Sequence, residues 1–174
     1  TSVTADPDQC STYSVIEDWF KSGKYQPYSL EELKTVLIFA KSNVPLWIRL
    51  SRVVRDIPTQ YIIGGVDRPN LRQDLQKIMS QNGDRCQCIR CSEVRDRKSN
   101  RQDANIVVTK YESSGGDEYF ISYESEQNGE RFLYGFIRLR LSQNAGMCVN
   151  SLKDNALIRE LHVYGNMNPV DSNL

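Results

Sequence analysis

Several features that would place this chain in a membrane or in the secretory pathway are missing. The 174 residues contain no apolar run long enough to cross a bilayer, and residues 1–9 lack the basic and then apolar pattern of a secretory signal. The sequence also has no internal repeat and no low-complexity tract. We therefore expect a folded, cytoplasmic protein with one domain or two small domains.

Common catalytic motifs are missing as well. His162 is the only histidine, so the sequence gives no basis for a Ser-His-Asp triad. The glycine pairs Gly64-Gly65 and Gly115-Gly116 lack the lysine and the spacing of a phosphate-binding loop. Residue types alone therefore assign no catalytic residue.

The chain has no net charge, but its charges are unevenly distributed. Residues 49–77 and 84–101 each contain six basic and three acidic residues, whereas residues 112–130 contain six acidic residues and no lysine or arginine. Basic segments of this kind suit a polyanion such as RNA. Solvated faces of helices and loops produce the same pattern, so both interpretations stay open.

The first half of the chain is predicted to be helical. Ser14–Glu17 and Ser29–Glu32 have the spacing of capping boxes, and apolar residues at helical spacing follow each pair. The two helices are predicted to end at Gly23 and near Asn43. A third helix is predicted from about residue 70 to a stop at residue 83.

The second half changes to a period of two residues, which is typical of strands. Together with one strand in the first half, the predicted strands are 47–54, 106–112, 118–124, 131–141 and 157–165. Asn128-Gly129 predicts a tight hairpin, and Gly135 marks a bulge. Residues 142–155 are predicted to form a surface loop. The expected arrangement is an antiparallel meander.

The last strand has two different faces. Alternation places Leu157, Leu161 and Val163 on one face, which we expect to join the core. Glu160 and His162 lie on the other face. That face is either solvated or able to contact a ligand.

Five cysteines, an odd number, fit a disulfide framework poorly. Cys86, Cys88 and Cys91 lie within six residues, and a soft dication such as zinc would explain why three thiols gather there. A closed thiolate site of this kind would be structural. An iron-sulfur ligand set and unligated thiols are the alternatives. The candidates for a fourth ligand are His162, Cys148, Cys10 and a group outside this chain.

Six strings carry a family resemblance when they are taken together in order. They are Tyr25–Ser29, Val44–Arg49, Arg52–Pro58, Gly65–Arg72, Cys86–Cys91 with Glu93-Val94, and Arg159–Gly165. This ordered set resembles the catalytic subunit of Elongator, a family of radical-SAM, acetyltransferase-like enzymes that modify tRNA. The resemblance extends over nearly the whole chain.

The resemblance implies an α+β fold in three parts. Residues 1–83 would be the helical C-terminal part of a radical-SAM barrel, and residues 84–101 a cysteine-rich, zinc-binding linker. Residues 102–174 would be the N-terminal part of a truncated, GNAT-like antiparallel sheet. The family's iron-sulfur and SAM ligands, and its glycine-rich acetyl-CoA loop, are expected outside this chain.

The resemblance also implies a function. In this family a SAM-derived radical and acetyl-CoA are used to place a carboxymethyl group on the wobble uridine of tRNA. The resemblance implies that zinc is bound by Cys86, Cys88 and Cys91. It implies that acetyl-CoA contacts the strand residues Glu160, Leu161, His162 and Val163. It also implies a basic surface for the tRNA anticodon region, formed by Arg49, Arg52, Arg55 and Arg72.

The implied partners are tRNA and either a second copy of the enzyme or the Elongator accessory subunits, with no membrane. Two other functions remain open for this chain. One is a non-catalytic, zinc-stapled RNA-binding module, and the other is part of a lysine acetyltransferase.

Overall fold

The computed structural model describes most of the chain. The described residues are 2–4, 10–53, 57–68, 70–95, 97, 99, 101–143, 149–153 and 155–165. The chain separates into two compact units, residues 1–91 and 92–174. The finer division at residues 83 and 101 stays a prediction. Within the described part, no helix is long and apolar enough to span a membrane.

The first unit combines helices with two small sheets. Its helices are α1 (Val15–Lys21), α2 (Leu30–Asn43) and α3 (Leu71–Gln81), with α4 (Ile89–Ser92) at its end. Its strands are β1 (Ser2–Thr4), β2 (Cys10–Ser11), β3 (Arg49–Arg52) and β4 (Ile62–Gly64), with a short 3-10 helix at Thr59–Tyr61. β1 pairs with β3 in parallel, and β2 pairs with β4 antiparallel. The strand predicted at 47–54 is therefore observed in a shorter form.

Helix α2 begins with the capping box that the sequence predicts. The backbone N–H of Glu32 donates to the Ser29 hydroxyl at 3.3 Å, and the backbone N–H of Ser29 donates to the Glu32 carboxylate at 2.9 Å. The equivalent prediction for α1 is wrong. The Ser14 hydroxyl donates to the carbonyl of Ser11 at 2.6 Å and makes no cap bond to the helix.

Apolar side chains of α2 and α3 form the core of the first unit. The buried residues are Leu33, Leu37, Val53, Val66, Leu71 and Leu75. Burial of each such side chain stabilises the fold by about 1.5–3 kcal/mol. Gly83 has a φ of +79° just after α3, so the predicted stop of the third helix is confirmed.

The second unit contains one antiparallel sheet. Its strands, in spatial order, are β5 (Asn105–Ser113), β6 (Gly116–Gln127), β7 (Glu130–Leu141) and β8 (Leu157–Val163). Short 3-10 helices lie at Arg101–Asp103 and Asn150–Leu152. Asn128 and Gly129 alone separate β6 from β7 and have φ values of +53° and +70°. The predicted tight hairpin is therefore confirmed.

The predicted bulge at Gly135 is also confirmed. Tyr123 pairs with Gly135 and Glu124 pairs with Leu133, so Tyr134 is the extra residue of β7. A Cβ on Gly135 would lie 2.9 Å from the carbonyl oxygen of His162. Glycine is required here because β8 passes so close to the backbone of β7.

The prediction that Leu161 and Val163 join the core is wrong. They are 64% and 82% exposed, whereas the buried face of β7 carries Tyr134, Phe136 and Arg138. Alternation defines two faces of a strand but does not say which one is covered. The face of β7 that carries Arg138 can be buried because the guanidinium pairs with Glu160.

Candidate metal centre and candidate cofactor strand

Three cysteine side chains converge where the chain enters α4. The Sγ atoms of Cys86, Cys88 and Cys91 lie within 4.8 Å of one another, and Cys88 is fully buried. The backbone N–H of Cys91 donates to the carbonyl of Cys88 at 3.0 Å, which forms a turn. The N–H of Ile89 donates to the carbonyl of Ile48, also at 3.0 Å, and holds this turn next to the start of β3.

The cluster shifts the pKa values of Cys86 and Cys91 in opposite directions. Hydrogen bonds from Cys86 and Cys88 lower the pKa of the Cys91 thiol far below its usual value, and the charges of Lys41 and Arg72 act in the same direction. Hydrogen bonds with Cys88 and Cys91, together with burial, raise the pKa of Cys86. A soft dication would replace the remaining protons and bind all three sulfurs, so this donor set fits zinc.

None of the candidates for a fourth zinc ligand joins the cysteine cluster among the described residues. Among the described residues, the converging group contains only the three cysteines named above. Cys10 is buried elsewhere in the first unit, where its thiol donates to the carbonyl of Ile16 at 3.5 Å. His162 belongs to the second unit, and Cys148 lies outside the described residues.

The four predicted tRNA-binding arginines have different environments. Arg52, at the end of β3, is exposed, and Arg49, at its start, is half-buried. Arg72 is also half-buried, and its guanidinium donates to the carbonyl of Leu50 at 2.7 Å. Arg55 lies outside the described residues. The basic surface for tRNA stays a prediction, with Arg52 as its exposed member.

The predicted cofactor residues lie on β8, at one edge of the sheet. Glu160 of β8 lies opposite Arg138 of β7, and its carboxylate accepts a hydrogen bond from the Nε of Arg138 at 2.9 Å. The His162 ring stacks on Tyr164 at a centroid distance of 6.2 Å and lies 5.2 Å from Phe136. Glu160 and His162 therefore share the aromatic face of the sheet.

Sequence reasoning missed a buried ion network on this face. Its members come from all four strands and are Tyr111, Glu118, Arg138, Arg140, Arg159 and Glu160. The Tyr111 hydroxyl donates to Glu118 at 2.7 Å, and Arg140 donates to the same carboxylate at 3.1 Å. Arg138 and Arg140, two positions apart on β7, were the available signal, but their partners depend on the strand register.

The network lowers the pKa values of its two carboxyl groups. Burial raises the pKa of Glu118, but hydrogen bonds from Tyr111, Arg159 and Arg140 outweigh burial. Burial likewise raises the pKa of Glu160, and the hydrogen bond from Arg138 outweighs it. Both carboxylates are therefore ionised at neutral pH.

Comparisons of the sequence with known proteins agree with one another on the family. A model of the Radical_SAM C-terminal domain matches residues 11–81. The tRNA uridine(34) acetyltransferase of Methanocaldococcus jannaschii is 36% identical over 182 residues, which cover 97% of this chain and 33% of that protein. Elongator complex protein 3 of Homo sapiens is 33% identical over 157 residues, with coverages of 88% and 28%. The chain thus spans about a third of the length of these curated relatives.

A solved structure agrees with the sequence comparisons. The archaeal Methanocaldococcus infernus Elp3 with an N-terminal deletion matches with a TM-score of 0.80 and 32% identity, over 97% of this chain and 40% of that chain. The predicted combination of helices and an antiparallel sheet is confirmed. The resemblance is confirmed as well: this chain is homologous to a segment of the family that includes the tRNA uridine(34) acetyltransferases and Elongator complex protein 3.

Proposed function

We propose that this chain is part of an enzyme that carboxymethylates the wobble uridine of tRNA, with acetyl-CoA as the carbon donor and a SAM-derived radical as the initiator. The observation that carries the proposal is the 36% identity, over 97% of this chain, to a relative named for acetyl transfer to tRNA uridine. The enzyme would act on the anticodon region, as a homodimer or with accessory subunits.

The cysteine cluster would hold a structural zinc ion. Cys86, Cys88 and Cys91 supply three sulfur ligands from one short segment. Zinc bound there would crosslink this segment and add to the folding free energy. This role needs no open coordination position, so the site would support the fold rather than the chemistry.

Strand β8 would form one side of a GNAT-like acetyl-CoA site. Within the described sheet β8 pairs with β7 on one side only, and an edge strand offers backbone groups to an extended ligand. The amides of the pantetheine arm would pair with residues 160–163. Exposed Leu161 and Val163 would contact its apolar atoms, and Arg138 would keep Glu160 in place.

Arginines of the first unit would bind tRNA phosphates. Such contacts position the RNA without reading its sequence. Arg49, Arg55 and Arg72 complete the proposed set, with Arg52 as its most accessible member. Arg72 also donates to backbone carbonyls of β3, so it would fix this surface as well as contribute charge.

Nucleoside analysis tests the proposed function. The full-length protein that contains this segment is incubated with tRNA, acetyl-CoA, SAM and a reductant, and the digested tRNA is analysed by mass spectrometry. We expect carboxymethyluridine at the wobble position only when all components are present. Lysine acetylation without a tRNA product would contradict the proposal and favour the acetyltransferase alternative.

A further inference from the structure

Lys41 is a buried cation whose contact in the structure is a sulfur atom. It lies in the last turn of α2, is 1% exposed, and its Nζ lies 3.8 Å from the Sγ of Cys91. Among the described residues, no carboxylate forms an ion pair with it. A buried ammonium group is costly unless an anion lies close by.

Two donors of α3 reach the same sulfur. The NH1 of Arg72 lies 3.9 Å from the Sγ of Cys91, and the Nε2 of Gln76 lies 3.7 Å from it. Helices α2 and α3 therefore direct three N–H donors at one sulfur atom. Two of these donors carry a positive charge.

We propose that Lys41, together with Arg72, is a positioning residue of the metal centre, which holds Cys91 in place and offsets the charge of the bound thiolates. The inference rests on the zinc site proposed above. A zinc ion bound by three thiolates carries a net charge of −1, which is unfavourable in a buried position without a compensating cation. Groups that hydrogen-bond to metal ligands orient them and contribute to metal affinity.

Lys41 is expected to act on the metal-bound state of the site. With zinc bound, its ammonium group faces a net negative cluster and is stabilised. Removal of the charge leaves that cluster buried with one compensating cation fewer. Loss of the charge is therefore expected to weaken zinc binding, and a charged replacement is expected to restore it, which a lysine that only fills space would not do.

Zinc affinity and metal-free stability are measured on Lys41→Met, by chelator competition and by urea unfolding. We expect the dissociation constant for zinc to rise about 10–100-fold, while urea unfolding shows that the metal-free variant is folded. Lys41→Arg restores the charge and should recover most of the affinity. If Lys41→Met does not fold, Lys41→Gln keeps a donor without the charge and gives the same test.

Two control variants separate this inference from general effects. Lys34→Met changes a lysine of the same helix that pairs with Glu31, and it should bind zinc as the wild type does. Gln76→Leu removes only the neutral donor and should change the affinity much less than Lys41→Met. Unchanged affinity in Lys41→Met, or no recovery in Lys41→Arg, would overturn the inference alone. A wild-type protein that binds no zinc would overturn the metal centre itself.

Discussion

Arg138 and Glu160 face each other across β7 and β8, with the Nε of Arg138 2.9 Å from a carboxylate oxygen of Glu160. The Arg138 side chain is fully buried, and its guanidinium lies 5.4 Å and 5.7 Å from the ring centroids of Phe120 and Phe136. The carboxylate is thus held by a cation that itself packs against aromatic rings. This contact ties the candidate cofactor strand to the sheet.

Removal of the Glu160 carboxylate should destabilise the second unit. Glu160→Leu removes one of the groups that bind the buried Arg138 guanidinium, and the loss of this charged hydrogen bond is expected to cost about 1.5–3 kcal/mol. Urea unfolding at pH 7 measures this loss. Asp117→Asn breaks the exposed Lys110–Asp117 pair instead and should have little effect. Equal stability of the two variants would show that the buried pair has no special role.

Glu118 should make the stability depend on acid pH. Its folded-state pKa lies below the usual value, so its contribution is present above the unfolded pKa of about 4.3 and is lost as the pH falls through the folded pKa. Glu118→Gln should therefore be less stable than the wild type at pH 7, with a smaller difference near pH 3. Glu126→Gln, an exposed change on the same strand, is the control. A constant difference between wild type and Glu118→Gln at both pH values would refute the prediction.

Zinc content should depend on the cysteine cluster and not on Cys10. The purified chain is expected to contain about one equivalent of zinc, which Cys88→Ser loses and Cys10→Ser retains. Chelation should lower the Tm by about 5 °C or more, because metal binding stabilises only the folded state. Elemental analysis and thermal unfolding measure these effects. A metal-free protein of equal stability would exclude the zinc site, and loss of zinc in Cys10→Ser would identify Cys10 as a ligand.

Arg52 should contribute to tRNA affinity through phosphate contacts. Arg52→Glu is expected to weaken tRNA binding and to lower the slope of log K against log salt by about 1, since one phosphate contact releases about one counterion. Lys24→Glu makes the same charge change at another exposed position of the first unit and should leave the slope unchanged. A salt titration by fluorescence anisotropy measures both. The phosphate contact is ruled out if Arg52→Glu keeps the wild-type slope.

The local features of the fold could be predicted from the sequence. The Ser29–Glu32 capping box, the Asn128-Gly129 hairpin and the Gly135 bulge each depend on a few adjacent residues, and the structure contains all three. The convergence of Cys86, Cys88 and Cys91 was predictable for the same reason. Short spacing leaves few arrangements open.

The remaining features depend on contacts between distant residues. Arg138 meets Tyr111 and Glu160 because of strand register, and alternation alone gives no register. Lys41 reaches Cys91 across 50 positions. The exposure of Leu161 was missed because the pattern of a strand does not tell which face is covered.

The measurement that tests the central claim most directly uses acetyl-CoA with a fully deuterated acetyl group. The full-length protein that contains this segment is incubated with tRNA, SAM and a reductant, and the wobble nucleoside is analysed by mass spectrometry. Abstraction of one deuterium atom from the methyl group before bond formation predicts a carboxymethyluridine that retains two deuterium atoms. A tRNA without label, with all three deuterium atoms recovered as acetyl-lysine on protein, would contradict the account.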